Sequence, residues 1–230
     1  MVTSGPGGVR WPVLGSIPEA QLRDLLSVAR RRRFSRHEVV FHEGDPGDSV
    51  HLIDQGRVAL RVTTPLGDTV TLRILGPGSL FGELAILDPA PRNATVVALE
   101  RTHTLALHRD HFEELRREHP EVDRMLLDAL VSEVRRLSIQ LLEALYTSVP
   151  QRIQLRLADL VDQYGTDAAG SVDIPLTQDD LAGLCGTSRT TVNKVLRELE
   201  SKGLVAVSRG HVVIPDPDRL RHRGGSAPSA

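Results

Sequence analysis

The hydrophobic period of this chain changes once, near residue 109, and that change limits what it can fold into. From 38 to 108 apolar residues alternate in short runs: HEVVFH, SVHLIDQ, RVALRVTT, TVTLRIL, ATVVALE and THTLALH. Turn signals separate them: EGDPGD, QG, PLGD and GPG. Short strands at this spacing predict an antiparallel β-barrel or roll. Gly44, Gly47, Gly56, Gly67, Gly76 and Gly78 all read as turn glycines, free to take positive φ. Ahead of the strands, PEAQLRDLLSVARRRRF (18–34) predicts a helix with Leu22, Leu25, Leu26 and Ala29 on one face. Residues 1–15 are rich in Gly, Pro and Ser and are expected to form a flexible tail.

After 109 the period is helical. RDHFEELRREHP predicts a short amphipathic helix, and PEVDRMLLDALVSEVRRLSIQLLEALYTSV a long one running to Pro150. In the long helix Leu127, Leu130, Val134, Leu137, Leu141 and Ala144 step by three and four. That narrow stripe is a coiled-coil seam, which predicts a homodimer through residues 122–145. QRIQLRLADLVDQYG predicts a further helix, and GTDAAGSVD a loop.

The next stretch, IPLTQDDLAGLCGTSRTTVNKVLRELESKGLVAVSRGHVVIPD, carries a helix-turn-helix. Thr177 caps the first helix, with Asp180 three residues on as an imperfect capping box. Gly186 breaks it, and Ser188 caps a second helix whose apolar stripe is Val192, Val195, Leu196 and Leu199. LVAVSRGHVVI then alternates around Arg209-Gly210, a β-hairpin wing. The second helix exposes Arg189, Thr190, Asn193, Lys194 and Arg197. Arg and Lys donate to guanine O6 and N7, and Asn pairs with adenine. Lys202 and Arg209 fall where phosphates would lie, and Thr177 and Ser188, at the two helix starts, are expected on the same DNA-binding face. The net charge of −2 argues against a general nucleic-acid binder, yet the chain's two lysines, Lys194 and Lys202, both sit at this helix. The expected target is double-stranded DNA carrying an inverted repeat, read by two such units.

One further stretch carries more charge than a plain surface turn needs: FGELAILDPAPRNATV (81–96). It sets a carboxylate, Glu83, after a glycine, and a guanidinium, Arg92, after a Pro-framed loop. A carboxylate accepts from a ribose hydroxyl, a guanidinium forks onto a phosphate, and backbone N–H groups at a helix start can face the same anion.

The order of roll, long helix and winged helix-turn-helix resembles the cAMP receptor protein/FNR (Crp/Fnr) family of transcription regulators, over roughly residues 16–220. FGELAILDPAPRNA and LTQDDLAGLCGTSRTTVNKVLRELE carry the resemblance. The FGEL and DPAPR wording and the TSVPQRI hinge are most similar to actinobacterial cAMP receptor proteins. The resemblance implies an α+β chain with a double-stranded β-helix (a jelly-roll-like β-roll) as a cyclic-nucleotide-binding domain over 16–118. A dimerisation helix over 119–147, a winged helix-turn-helix over 148–222 and a flexible tail over 223–230 follow. It implies cAMP, or another cyclic nucleotide, as allosteric effector, with RNA polymerase as a further partner. Gly82, Glu83, Leu84 and Arg92 match the ligand cassette, Asn93 stands where such binders carry Ser or Thr, and Leu137 and Ser138 fall where they carry an adenine-contacting Thr-Ser pair. Gln140 is the nearest polar alternative. On the DNA side, Thr190 replaces the family's glutamate, which removes an acceptor for cytosine N4.

Alternatives stay open on the residues alone. Glu83 and Arg92 can form a structural ion pair beside a vestigial pocket. His103, His108 and His111 invite a metal or haem reading, although their spacing matches no tight metal motif. A single cysteine, Cys185, excludes an iron–sulfur cluster and fits a reducing, cytoplasmic setting. No metal and no membrane span are expected. No nucleophile elbow, P-loop or dinucleotide fingerprint points to an enzyme.

Overall fold

The computed structural model describes residues 9–15, 17–88, 90–168 and 170–224. The chain divides into two compact units, residues 1–68 with 72–136, and residues 69–71 with 137–230.

The first unit holds two four-stranded sheets. One has the order β1 (Arg30–Phe34), β8 (Thr102–His108), β3 (Ser49–Gln55), β6 (Leu80–Phe81). The other runs β2 (Val39–Phe41), β7 (Thr95–Ala98), β4 (Val58–Thr63), β5 (Thr69–Leu75, with 72–75 in this unit). Strand alternation divides the first sheet's side chains. Val50, Leu52, Leu105 and Leu107 pack on Leu22 and Leu25 of α1 (Glu19–Val28), on Phe112 and Leu115 of α3 (Arg109–Glu118), and on Val122 and Leu126 at the start of α4 (Pro120–Tyr146). On the opposite face Ile53 and Phe81 meet Val58, Leu75 and Val96 in a second cluster.

Several expectations are corrected. The run Arg30–Phe34 is a strand, not the end of a helix; it pairs with β8 from Arg30↔Ala106 to Phe34↔Thr102. Backbone pairing to a formed sheet outweighs the helix preference of arginine. The tail expected over 1–15 is overturned from residue 11: Trp11 and Leu14 are buried, and the Trp11 indole donates to Ile53 O at 2.9 Å. Residues 1–8 lie outside the described residues. Gly44, Gly56, Gly67 and Gly78 do have positive φ, whereas Gly47 and Gly76 do not. Gly47 is required by packing, since an added Cβ would lie 2.2 Å from that of Ala85.

The long helix stops at Tyr146, short of Pro150, and Ser148 N-caps α5 (Val149–Tyr164) in an extended conformation. Pro150 sits in the first turn of α5, where its missing N–H costs nothing.

In the second unit α6 (Gln178–Cys185) and α7 (Arg189–Ser201) form the helix-turn-helix. The capping box at α6 is complete: Thr177 Oγ1 accepts from Asp180 N, and Asp180 accepts from Thr177 N at 2.9 Å. Gly186 takes the left-handed conformation at the turn. Ser188 caps α7 by accepting from Thr191 N. The wing is β10 (Ala206–Ser208) and β11 (His211–Ile214), turned at Arg209-Gly210. The segment expected as a loop supplies a third strand, β9 (Val172–Ile174), paired with β11. A last helix, α8 (Pro217–Gly224), extends into residues expected to be tail. Its described part buries Leu220. The last turn of α4 is tied to α5 by Arg156, a buried cation paired with Glu143 and Asp159.

Candidate functional site

Gly82 has φ +85°, and an added Cβ would lie 2.7 Å from Arg92 Nη1, so this position accepts only glycine. Glu83 follows as N-cap of the single turn α2 (Leu84–Leu87), with Leu84 exposed. Arg92 is 4% exposed. Its Nη1 donates to Gly82 O at 2.8 Å and its Nη2 to Ser49 O at 2.7 Å, while the guanidinium lies 4.1 Å over the Phe41 ring. Asp48 stands 3.7 Å away. The Nε is buried with no hydrogen-bond partner among the described residues. Burial pulls Arg92 below its ordinary value, and Asp48 and Glu83 oppose that. Arg109 pins the same loops by donating to Gly47 O and Ala85 O, both at 2.6 Å.

Among the described residues no ion pair joins Glu83 to Arg92, so the structural-pair reading is not what this fold adopts. Burial raises the Glu83 carboxyl, partly offset by its own backbone N–H and by Arg73. Arg73 on β5 donates to Glu133 on α4 at 2.8 Å, and Arg136 holds the same carboxylate. Glu133 is lowered, by Arg136 first. Glu133 and Arg136 are an ordinary i,i+3 pair on α4, and Arg73 joins them from a strand 60 residues away, a contact that leaves no local spacing in the sequence.

A cavity of about 570 Å³ adjoins Arg92, lined by Phe41, Ser49, His51, Asp48, Arg30 and Arg32 among others. That volume suits a small-molecule site. His51 bonds Thr104 through Nδ1 and stacks on Phe81. Its pKa falls to about 4, first through burial and then through Arg92 and Arg32. The unfolded chain therefore takes up a proton below pH 6.5 that the folded chain refuses, and stability drops as pH falls from 6.5 towards 4, by about 3 kcal/mol at the limit. The raised Glu83 acts in the opposite sense, costing stability as pH rises above its ordinary value. His51→Gln is expected to flatten the acid limb of stability against pH, measured by urea unfolding; an unchanged limb would remove His51 from the account.

Asn93 is exposed beside Arg92. Leu137 and Ser138 stand exposed on α4, in the part that belongs to the second unit. The α4 seam is open: Leu127, Val134, Leu137 and Leu141 are all 46–63% exposed. Among the described residues no group of three His, Cys, Asp or Glu can hold a metal ion, and no helix is long and apolar enough to cross a membrane.

On the other unit, Arg189, Thr190, Lys194, Arg197, Lys202 and Arg209 are exposed, with Asn193 half-buried. Asn193 accepts from Arg197 Nε, Lys202 pairs with Glu198, and Arg189 Nη1 donates to Asp179 at 3.2 Å. Thr177 and Ser188, expected at the DNA face, are engaged as caps. Asp179 was not anticipated; an acidic residue near phosphates carries no favourable signal in sequence. Cys185 is buried and its thiol is pushed up to about 12 by burial.

A ligand-sized cavity in a β-roll and a capped helix-turn-helix with a wing define a DNA-binding transcription regulator with a sensor domain. Comparison with known proteins agrees. Residues 31–119 match the cyclic nucleotide-binding domain family, and 151–223 match the Crp-like helix-turn-helix domain family. The chain is 34% identical to the CRP-like cAMP-activated global transcriptional regulator of Mycobacterium tuberculosis, over 83% of this chain and 86% of that one. It is 32% identical to the cyclic AMP receptor protein of Thermus thermophilus, over 88% and 92%. The crystal structure of Thermus thermophilus catabolite activator protein aligns with TM-score 0.53 at 31% identity, covering 93% of this chain and 98% of that one. A mutant of CooA from Carboxydothermus hydrogenoformans, 19% identical, shares the fold with TM-score 0.71 over 98% of each chain. The chain belongs to the Crp/Fnr family of transcription regulators.

Proposed function

We propose that the chain is a homodimer, joined along α4, that binds an inverted-repeat operator under the control of a cyclic nucleotide, cAMP. The observation that carries the effector reading is the buried, fork-shaped Arg92 beside the Gly82–Glu83 turn. Its guanidinium would take the cyclic phosphate, Glu83 a ribose hydroxyl, and the Asn93 amide a further phosphate oxygen. Ser138 is the base-contacting candidate, and Leu137 offers the base only apolar contact. Two recognition helices on a dimer would meet successive major grooves about 34 Å apart. The ligand acts by favouring one arrangement of α4 and of the Thr147–Pro150 hinge, a coupling typically of about 1–3 kcal/mol. The acidic net charge predicts modest, salt-sensitive non-specific affinity.

Calorimetric titration with cAMP, and with cGMP alongside, tests this: one site per subunit is expected. A second reading has its own observation, since Arg92 already donates to two backbone carbonyls. If neither nucleotide gives heat while inverted-repeat DNA is still shifted, the chain is a regulator with another ligand or none. On the DNA side, replacing both Arg189 and Lys194 with alanine should weaken operator retention by roughly 10²-fold or more, at about 1–3 kcal/mol per base contact. Unchanged retention would mean that α7 is not the reading element.

A further inference from the structure

The two adjacent aspartates at the start of α6 have different tasks. Asp180 turns back and completes the capping box with Thr177. Asp179 turns outward and accepts from Arg189 Nη1 at 3.2 Å, bridging the second residue of α6 to the first residue of α7. Both ends are fixed: α6 by its capping box, α7 by Ser188 on Thr191 N. Both side chains are about two-thirds exposed (65% and 66%), so the pair adds little to fold stability. A carboxylate here also opposes general attraction to phosphates. What it does supply is orientation. A guanidinium has five donors in a rigid fork. With one edge held by Asp179, another edge stays free, already turned and with less side-chain freedom to lose. Thr190 has no carboxylate to do this from within α7. The pair also strengthens when DNA displaces water from around it.

We propose that Asp179 is a specificity-determining positioning residue, which holds Arg189 so that the free edge of its guanidinium is presented to a guanine in the major groove. This rests on the recognition-helix reading above. The test is selection of the full-length protein on a randomised inverted-repeat duplex library, with and without cAMP, for the wild type, Asp179→Asn and Arg189→Ala. The wild type is expected to enrich one guanine position per half-site. In Asp179→Asn the preference for guanine there should fall roughly tenfold while retention of unrelated duplex rises, a change within the range of one bidentate base contact. If Asp179→Asn keeps the full preference and simply binds all DNA more tightly, Asp179 is only a repelling charge and the proposal is overturned. If Arg189→Ala keeps the preference, or the wild type enriches no guanine, the recognition-helix reading fails and takes the proposal with it.

Discussion

Arg92→Ala is expected to abolish the proposed response to cyclic nucleotide and also to destabilise the sensor unit by about 3 kcal/mol, from two half-buried carbonyls left without a charged donor and a lost cation–π contact. From sequence alone this substitution is expected to spare the fold. The structure corrects that, because the side chain is a strut between Gly82, Ser49 and Phe41. Arg92→Lys separates the two roles: it keeps the charge and loses the fork. It should recover part of the stability, read by urea unfolding, and little of the ligand affinity, read by calorimetry. A normal ligand response in Arg92→Ala would end the effector assignment.

The second large effect lies on α4. Introducing Val134→Glu and Leu141→Glu together puts two charges on the open seam, where each copy would face its mate's charges. The protein should sediment as a folded monomer. Operator affinity should fall on the order of 10²–10⁴-fold, because two half-sites are no longer engaged by one linked molecule. A dimer surviving both substitutions would place the interface elsewhere.

How far residues alone lead can be judged element by element. The strands β3, β4, β5 and β8 are plain in sequence because each is a run of six or seven residues, rich in β-branched and apolar side chains and bounded by turn signals. β1 is hidden because four of its five residues are exposed arginines. β6 has two residues and β9 three, too short for any period to show. Trp11 is anchored by a partner 42 residues away, which composition cannot reveal. At the site, the glycine, carboxylate and arginine of the cassette are legible as chemistry. The hydrogen bonds of Arg92 to the Gly82 and Ser49 carbonyls, and the reach of Arg73 on β5 to Glu133 on α4, are tertiary contacts that no local spacing shows.

The burial of Trp11 has a practical side. It is the chain's single tryptophan, and it belongs to the first unit. Emission excited at the red edge of protein absorbance therefore reports on the sensor alone and is blind to the reading head. Followed beside circular dichroism, which registers the helices of both units, it tells whether the two melt together or one after the other. A shift in that emission on adding nucleotide would be a label-free titration signal requiring no engineered probe.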